Sequence, residues 1–211
     1  MEIQVICGYR SKSEDWDEKW KPVDWRARNL VKALKRLPFN GFAEFGLKKG
    51  RLRIDNTESG QRNALEFSAA NIVLNLRALG VENAQIVPIP SSSHTEPGSE
   101  FTGSRLSEQI ERYDPSYASR PVLFFNQAMP KSATGGGRNE LAIYKQIRQS
   151  EALDDRPVVV IDDVYTSGAH FRAVARHLKT INISPEYGHV VGRTVWERPA
   201  KMFDMPPETI G

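Results

Sequence analysis

Val158-Val159-Val160-Ile161-Asp162-Asp163-Val164-Tyr165-Thr166-Ser167-Gly168-Ala169-His170 is the stretch on which the reading of the fold turns. Four consecutive β-branched residues between Pro157 and two acids have the pattern of a strand buried on both faces, a central parallel strand rather than a half-wet edge. Asp162 and Asp163 are expected to end that strand. Beyond them Phe171, Val174, Leu178 and Ile181 recur at helical spacing, so the order is strand, acidic pair, small-residue turn, amphipathic helix. Such a turn lies at the carboxyl end of a sheet, where open α/β folds bind their ligands.

The residue types suit a phosphorylated sugar. Thr166, Ser167 and Gly168 supply hydroxyls and a backbone open to close approach, and with Ala169 and His170 they lead into a helix N-terminus whose N–H groups favour a phosphate. Asp162 and Asp163 offer acceptors for sugar hydroxyls and carboxylates able to hold the water shell of Mg²⁺. The plainer reading is a turn and helix cap. A cap needs one such residue, not five polar or small residues in series, which favours the ligand. Asp154 and Asp155, before the same strand, read as an ordinary exposed turn.

With 211 residues the chain can bury a sizeable core as one domain, with room for a small cap. Lys plus Arg number 29 against 26 Asp plus Glu, and the sequence pI is near 9.0. That mild excess serves a local phosphate site but falls short of the basic stripe of a dedicated nucleic-acid binder. The single cysteine, Cys7, excludes an internal disulfide and a cysteine-rich zinc site, and among Ile3, Val5 and Ile6 it reads as a small strand residue. A reducing, cytoplasmic setting is the expectation. The start lacks the pattern of a secretion signal and no stretch has the length and apolarity of a membrane span, so no membrane partner is expected.

Residues 1–8 alternate as a strand, and Trp16, Trp20 and Trp25 follow close together, either as packing residues or as stacking surfaces for a planar base. Residues 24–37 read as a basic amphipathic helix whose Arg26, Arg28, Lys32, Lys35 and Arg36 form a solvated face. Lys49-Gly50 joins a hairpin of residues 41–48 and 51–55, a polar break covers 56–63, and a helix is expected over 65–79, stopped by Gly80. Residues 1–65 thus read as an N-terminal α+β cap and 66–211 as an α/β core with a C-terminal tail. Within that core, residues 84–90 form a short strand ended by Pro88 and Pro90, Thr102 opens a helix, residues 121–125 form the next strand, and 187–195 a last one containing His189.

The run from Val158 to Gly168 resembles the phosphoribosyl pyrophosphate (PRPP) signature of type I phosphoribosyltransferases: hydrophobic strand, two acids, two variable residues, then hydroxyls and glycine. The likeness is tight over this run and the following helix, looser over residues 84–153, and does not cover the N-terminal part. It implies a parallel-sheet core with helices on both faces, topped by an N-terminal hood. It also implies a Mg²⁺-assisted transfer of the 5-phosphoribosyl group from PRPP to a nucleobase-like nitrogen, with release of pyrophosphate, by a homodimer with small-molecule partners. Asp162 and Asp163 would hold the ribose hydroxyls and, through water, the metal; residues Val164 to His170 would hold the 5'-phosphate. Ser91, Ser92, Ser93 and His94 correspond to the pyrophosphate loop, with His94 read as an exposed loop histidine or, if protonated, an aid to the leaving group, and Lys131 and Arg138 belong to a glycine-rich lid over the leaving group. Trp196 is expected either to stack on the base or to anchor the core.

Three departures narrow the substrate. The Ser91–His94 loop lacks the Lys or Arg common there, Thr166 stands where purine-salvage members carry a third acid, and His170 replaces a small hydroxyl residue. The wording is closer to the orotate, amidotransferase and competence-protein (ComF-like) branches. The alternative from another class is a relative that binds PRPP or a nucleotide as a regulator without turning it over. A nucleotide-triphosphatase is disfavoured because no Gly-x-x-x-x-Gly-Lys-Ser/Thr loop occurs.

Overall fold

The structure, a computed structural model, describes residues 1–10, 19–130 and 139–211. It is a mixed α/β fold built on a mostly parallel six-stranded sheet. The chain runs β1 (Glu2–Tyr9), α1 (Pro22–Leu34), a hairpin of β2 (Phe42–Gly46) and β3 (Arg51–Asp55), α2 (Glu58–Ala78), β4 (Gln85–Pro88), α3 (Thr102–Tyr113) and β5 (Ala118–Ser119). It continues through β6 (Leu123–Phe125), α4 (Glu140–Gln146), β7 (Ile147–Gln149), β8 (Val158–Tyr165), α5 (Ala169–Lys179), β9 (Tyr187–Thr194) and β10 (Glu208–Thr209). The strand order is β10-β1-β9-β8-β4-β5, with only β10 antiparallel.

Helices cover both faces because the central strands are apolar on both. Val159 and Ile161 of β8 pack with Leu30, Ile72 and Leu106 from α1, α2 and α3. Val158 and Val160 pack on the other side with Ile143, Phe171, Val174 and Leu178 from α4 and α5. This is the period-2 alternation of a strand buried twice. Ile181, expected to extend the helical stripe, lies past the end of α5 and is 41% exposed.

Four expectations are corrected. Strand β1 lies inside the main sheet, paired in parallel with β9, and so belongs with the core strands rather than with a cap. Its Ile3, Val5 and Cys7 are buried, and the Cys7 thiol donates to the Val191 carbonyl (3.2 Å). The division placed at residues 65 and 66 falls within α2, which begins in the supposed polar break because Thr57 caps it, its hydroxyl accepting from the Gly60 N–H (3.1 Å). The acids do not end β8, which runs on to Tyr165 because β9 stays beside it, pairing Asp162 with Val190 and Val164 with Gly192. Finally, residues 123–125 leave the main sheet and pair antiparallel with β7; the short β5 takes the edge position instead.

Helix α1 packs on the sheet and is held at both ends. Its first turn is tied to the chain beyond β9, where Arg198 Nη2 donates to the buried Asp24 (2.7 Å), and Val31 packs so closely on β9 that a Cβ at Gly192 would come within 2.9 Å of it. Its far end reaches α3, the Arg105 guanidinium donating to the Leu34 carbonyl (3.1 Å). Among the described residues no helix is long and apolar enough to cross a membrane.

His189 is fully buried in β9. A carbonyl cannot donate, so the contact from Nδ1 to the Val190 oxygen (3.3 Å) puts the proton on Nδ1 and leaves Nε2 to accept from the Asn75 amide (3.3 Å). Burial pushes its pKa down to about 4. Because the folded value lies below the ordinary 6.5, the neutral ring contributes stability that is full above pH 6.5 and is lost as the pH falls toward 4, by roughly 3 kcal/mol. Urea unfolding near pH 7 and about pH 4.5 should therefore show a larger loss in the wild type than in His189→Gln. Equal losses would remove His189 as the cause.

Candidate functional site

The sheet reverses its winding between β4 and β8. From β4 the chain crosses on one face through α3 to β5, whereas from β8 it crosses on the opposite face through α5 to β9, in the other direction. The loops leaving the carboxyl ends of β4 and β8 diverge and leave a crevice, the position where doubly wound sheets take ligands. Strand β4 stops at Pro88, and its last bond to β8 runs from the Ile89 N–H to the Ile161 carbonyl (2.8 Å). Strand β8 continues for a further turn of the pleat with β9 on one side only.

The acidic pair sits on that overhang. The Asp163 N–H points to the side β4 has vacated, and the Asp162 carboxylate folds back to accept it (Oδ1, 2.7 Å). Alternation sends the Asp163 side chain to the face of α1, where Lys35 Nζ lies 2.9 Å from both carboxylate oxygens. Burial, and then the charge of Asp163, hold the Asp162 carboxyl well above the usual carboxylate range. Burial works against the Lys35 ammonium, but the Asp163 carboxylate offsets it and leaves the lysine pKa raised. The two carboxylates are thus adjacent but occupied differently, one on the strand edge and one in an ion pair.

The turn after β8 has the expected shape. Gly168 sits at φ 73°, and a Cβ there would meet the Tyr165 hydroxyl at 2.6 Å and Arg172 Nη1 at 2.9 Å. Helix α5 starts at Ala169 with no side chain capping it. Thr166 and Thr194 share a hydroxyl hydrogen bond (2.9 Å), tying the turn to the end of β9, and Ser167 is exposed. Arg172 donates to the Ser167 carbonyl (3.1 Å) and to Glu140 (3.2 Å), which braces the turn from behind. Val164 is partly buried against the hydrophobic core, and the Tyr165 ring is buried beside Phe171. His170 faces the edge of Phe125 with ring centroids 6.5 Å apart. Burial lowers its pKa despite the pull of Asp163, so near neutral pH it adds little charge to the turn.

Across the crevice, Ser91 to His94 form a tight turn closed by the His94 N–H on the Ser91 carbonyl (2.9 Å), pinned by bonds from Met129 N–H to Ser92 O (2.7 Å) and Phe125 N–H to His94 O (2.9 Å). Among the described residues nothing bonds the hydroxyls of Ser91, Ser92 and Ser93. His94 is the correction here: it is 3% exposed, not a surface histidine, because its ring packs on Phe101 with centroids 4.3 Å apart. The Ser99 hydroxyl spends its one proton on the Glu96 carbonyl (2.9 Å) and so accepts from His94 Nδ1 (2.8 Å). That leaves Nε2 as a buried acceptor with no partner among the described residues. Burial keeps the ring neutral by lowering its pKa.

Two cations border the crevice that the sequence did not single out for it. Lys35 arrives from the end of α1 and Arg105 from α3, whose guanidinium is mostly buried against Leu34 and Thr102. The only signal for Lys35 was its place in a basic helix, which ordinarily means a solvated face. Lys131, Arg138 and Trp16 lie outside the described residues. Trp20 and Trp25 stack on each other (4.3 Å) with Arg28 near both rings, and Trp196 is 57% exposed and so is no core anchor. Asp154 is an exposed turn residue held by Arg156, as its sequence suggested. A separate open hollow of ≈ 580 Å³ lies elsewhere, on the β1 side of the sheet among Phe45, Phe67 and Phe203, and shares no residue with the acidic turn.

Among the described residues no three or more His, Cys, Asp or Glu side chains gather as a metal cage. A cation at the crevice would have Asp162 and Asp163 from the protein and would take its remaining oxygens from water and ligand. In comparison with known proteins, the chain matches no family model and no curated sequence.

Gly168→Ala tests the turn. The left-handed backbone costs a residue with a Cβ about 1–2 kcal/mol, and the Tyr165 and Arg172 contacts add to it. Urea titration should show at least that loss, whereas the same substitution at Gly50, also at positive φ but with open space around it, should lose no more than the backbone share.

Proposed function

We propose that the protein is a PRPP-dependent phosphoribosyltransferase that transfers a 5-phosphoribosyl group to a nitrogen base and releases pyrophosphate. The observation that carries this reading is the joint position, at the reversal of sheet winding, of two carboxylates on β8 and an uncapped glycine turn opening α5. A ribose 5-phosphate spans such a pair of features. Its phosphate meets the N–H groups of residues 167–170 and the Thr166 and Ser167 hydroxyls, and its ring hydroxyls donate to the acids. The type I phosphoribosyltransferase core, suggested by the run from Val158 to Gly168, belongs to the same proposal.

In the reaction the acceptor nitrogen forms a bond to C1 of the ribose as the C1–O bond to pyrophosphate breaks. The departing pyrophosphate keeps the electron pair, and the nitrogen sheds its proton to solvent or to the leaving group. Positive charge builds on C1 and the ring oxygen, as in other glycosyl transfers. The protein contributes position and charge rather than a covalent partner: Asp162 and Asp163 fix the sugar, the α5 turn fixes its phosphate, and Ser91 to Ser93 offer hydroxyls to the pyrophosphate. A bound Mg²⁺ would supply positive charge to the leaving group, its water shell held by the two acids.

The test is pyrophosphate release from PRPP with a panel of nitrogen bases, beside calorimetric PRPP binding with and without Mg²⁺. The double variant Asp162→Asn with Asp163→Asn should weaken PRPP binding at least about tenfold while its circular dichroism stays that of the wild type. Unchanged affinity would remove the acids from the site. Tight binding with no release across the panel would make the protein a PRPP sensor instead.

A further inference from the structure

The Ser91 to His94 turn brings no fixed positive charge to the crevice, and the buried His94 ring is neutral. A ligand carrying a pyrophosphate needs one. Among the described residues, one cation at the crevice sits in the Lys35–Asp163 pair, in which both carboxylate oxygens are engaged by one ammonium at 2.9 Å. This lysine is the C-cap that follows α1, and its side chain keeps 31% of its surface exposed against 16% for Asp163. We propose that Lys35 is a binding residue for the ligand's pyrophosphate, held in the resting protein as the counter-ion of Asp163 and handed over when sugar hydroxyls take its place. The proposal rests on the reading of the crevice as a PRPP site.

The physical argument is one of exchange. A half-buried carboxylate cannot be left without a partner, because an uncompensated charge there is costly. A neutral ribose diol supplies two hydrogen bonds to Asp163 but no charge, so the ammonium it displaces needs another anion close by. The ligand brings that anion itself. Lysine suits the exchange, since its four-carbon stem carries a compact charge to a new position by rotamer changes alone. Arg105 does not suit it: its guanidinium is fixed on the Leu34 carbonyl and the Thr102 hydroxyl. Burial and the nearby Arg36 lower its pKa, and the charges of Glu100 and then Asp163 work against that lowering, so part of the positive field at Asp163 stays in place when Lys35 leaves.

The exchange makes Lys35 act oppositely on two ligands that share the sugar. For ribose 5-phosphate, which has the diol but no pyrophosphate, Lys35 competes for Asp163 and receives nothing in return. For PRPP it becomes a contact. Calorimetry on the full chain with Lys35→Met, which keeps the stem and removes the charge, should therefore show PRPP affinity falling at least about tenfold while ribose 5-phosphate affinity holds or rises. Equal losses for both ligands, or no loss for PRPP, would overturn the proposal and leave Lys35 a purely structural counter-ion. A wild-type protein that binds neither ligand would instead overturn the PRPP reading on which the proposal stands. Should Lys35→Met not fold, Lys35→Met with Asp163→Asn, which removes both charges together, is compared with Asp163→Asn alone. The added methionine must cost PRPP affinity further, and identical affinities would refute the hand-over.

Discussion

The site exists because β8 is longer than β4. Strand β9 holds β8 through Tyr165, but on the other side the ladder stops at Ile89, beyond which the chain turns away through Pro90 into the Ser91–His94 turn. A strand with one bare edge inside a fold must find partners for its backbone groups. Here the partner is the side chain of the preceding residue, Asp162, which accepts the Asp163 N–H. The overhang therefore fixes the acidic pair before any ligand arrives, and the divergent loops after β4 and β8 open the crevice beside it. Three helix ends converge on the same place: the start of α3, the start of α5 and the finish of α1.

Helix α1 behaves as a strap pinned at both ends by ion pairs of different character. At its start Asp24 is fully buried, accepts the Lys21 N–H (2.7 Å) and takes the Arg198 guanidinium, an arrangement with no slack. At its finish the Lys35–Asp163 pair remains partly open to solvent. Between them Val31 fits against Gly192, a contact that any larger residue at 192 would push apart. The strap is thus closed off from solvent at one end and left partly open to it at the other.

The sequence carried the parts of this fold that depend on local pattern. The doubly buried strand, the hairpin around Lys49-Gly50, the helices after Thr102 and after Gly168, and the exposed Asp154 turn all follow from periodicity and turn chemistry that act within a few residues. What it hid depends on pairing at long range. Nothing local tells that β9 continues beside Asp162 and Asp163 while β4 does not, so the acids read as a strand end. Nothing local places residues 2–9 beside β9, a partner nearly the whole chain away. Thr57 is the exception, a capping residue visible in the sequence before a run that was read as a break. His94 illustrates the opposite error: a histidine among serines has the composition of a surface loop, and only the packing of Phe101 over it decides otherwise.

The electrostatics of the crevice then constrain what can enter it. Burial raises the Asp162 pKa above the ordinary carboxylate range, and the charge of Asp163 is matched by Lys35. A small anion meeting such a surface finds helix N–H groups and hydroxyls but no uncommitted ammonium among the three side chains that define it. A neutral sugar finds a carboxylate whose two oxygens are each already engaged by Lys35. On the proposed reading, a ligand that presents hydroxyls to Asp163 and negative charge to Lys35 at the same time satisfies both members of the pair once it opens. The ion pair on that reading works as a filter in the resting site, favouring molecules in which diol and pyrophosphate are joined over those that carry the diol without the pyrophosphate.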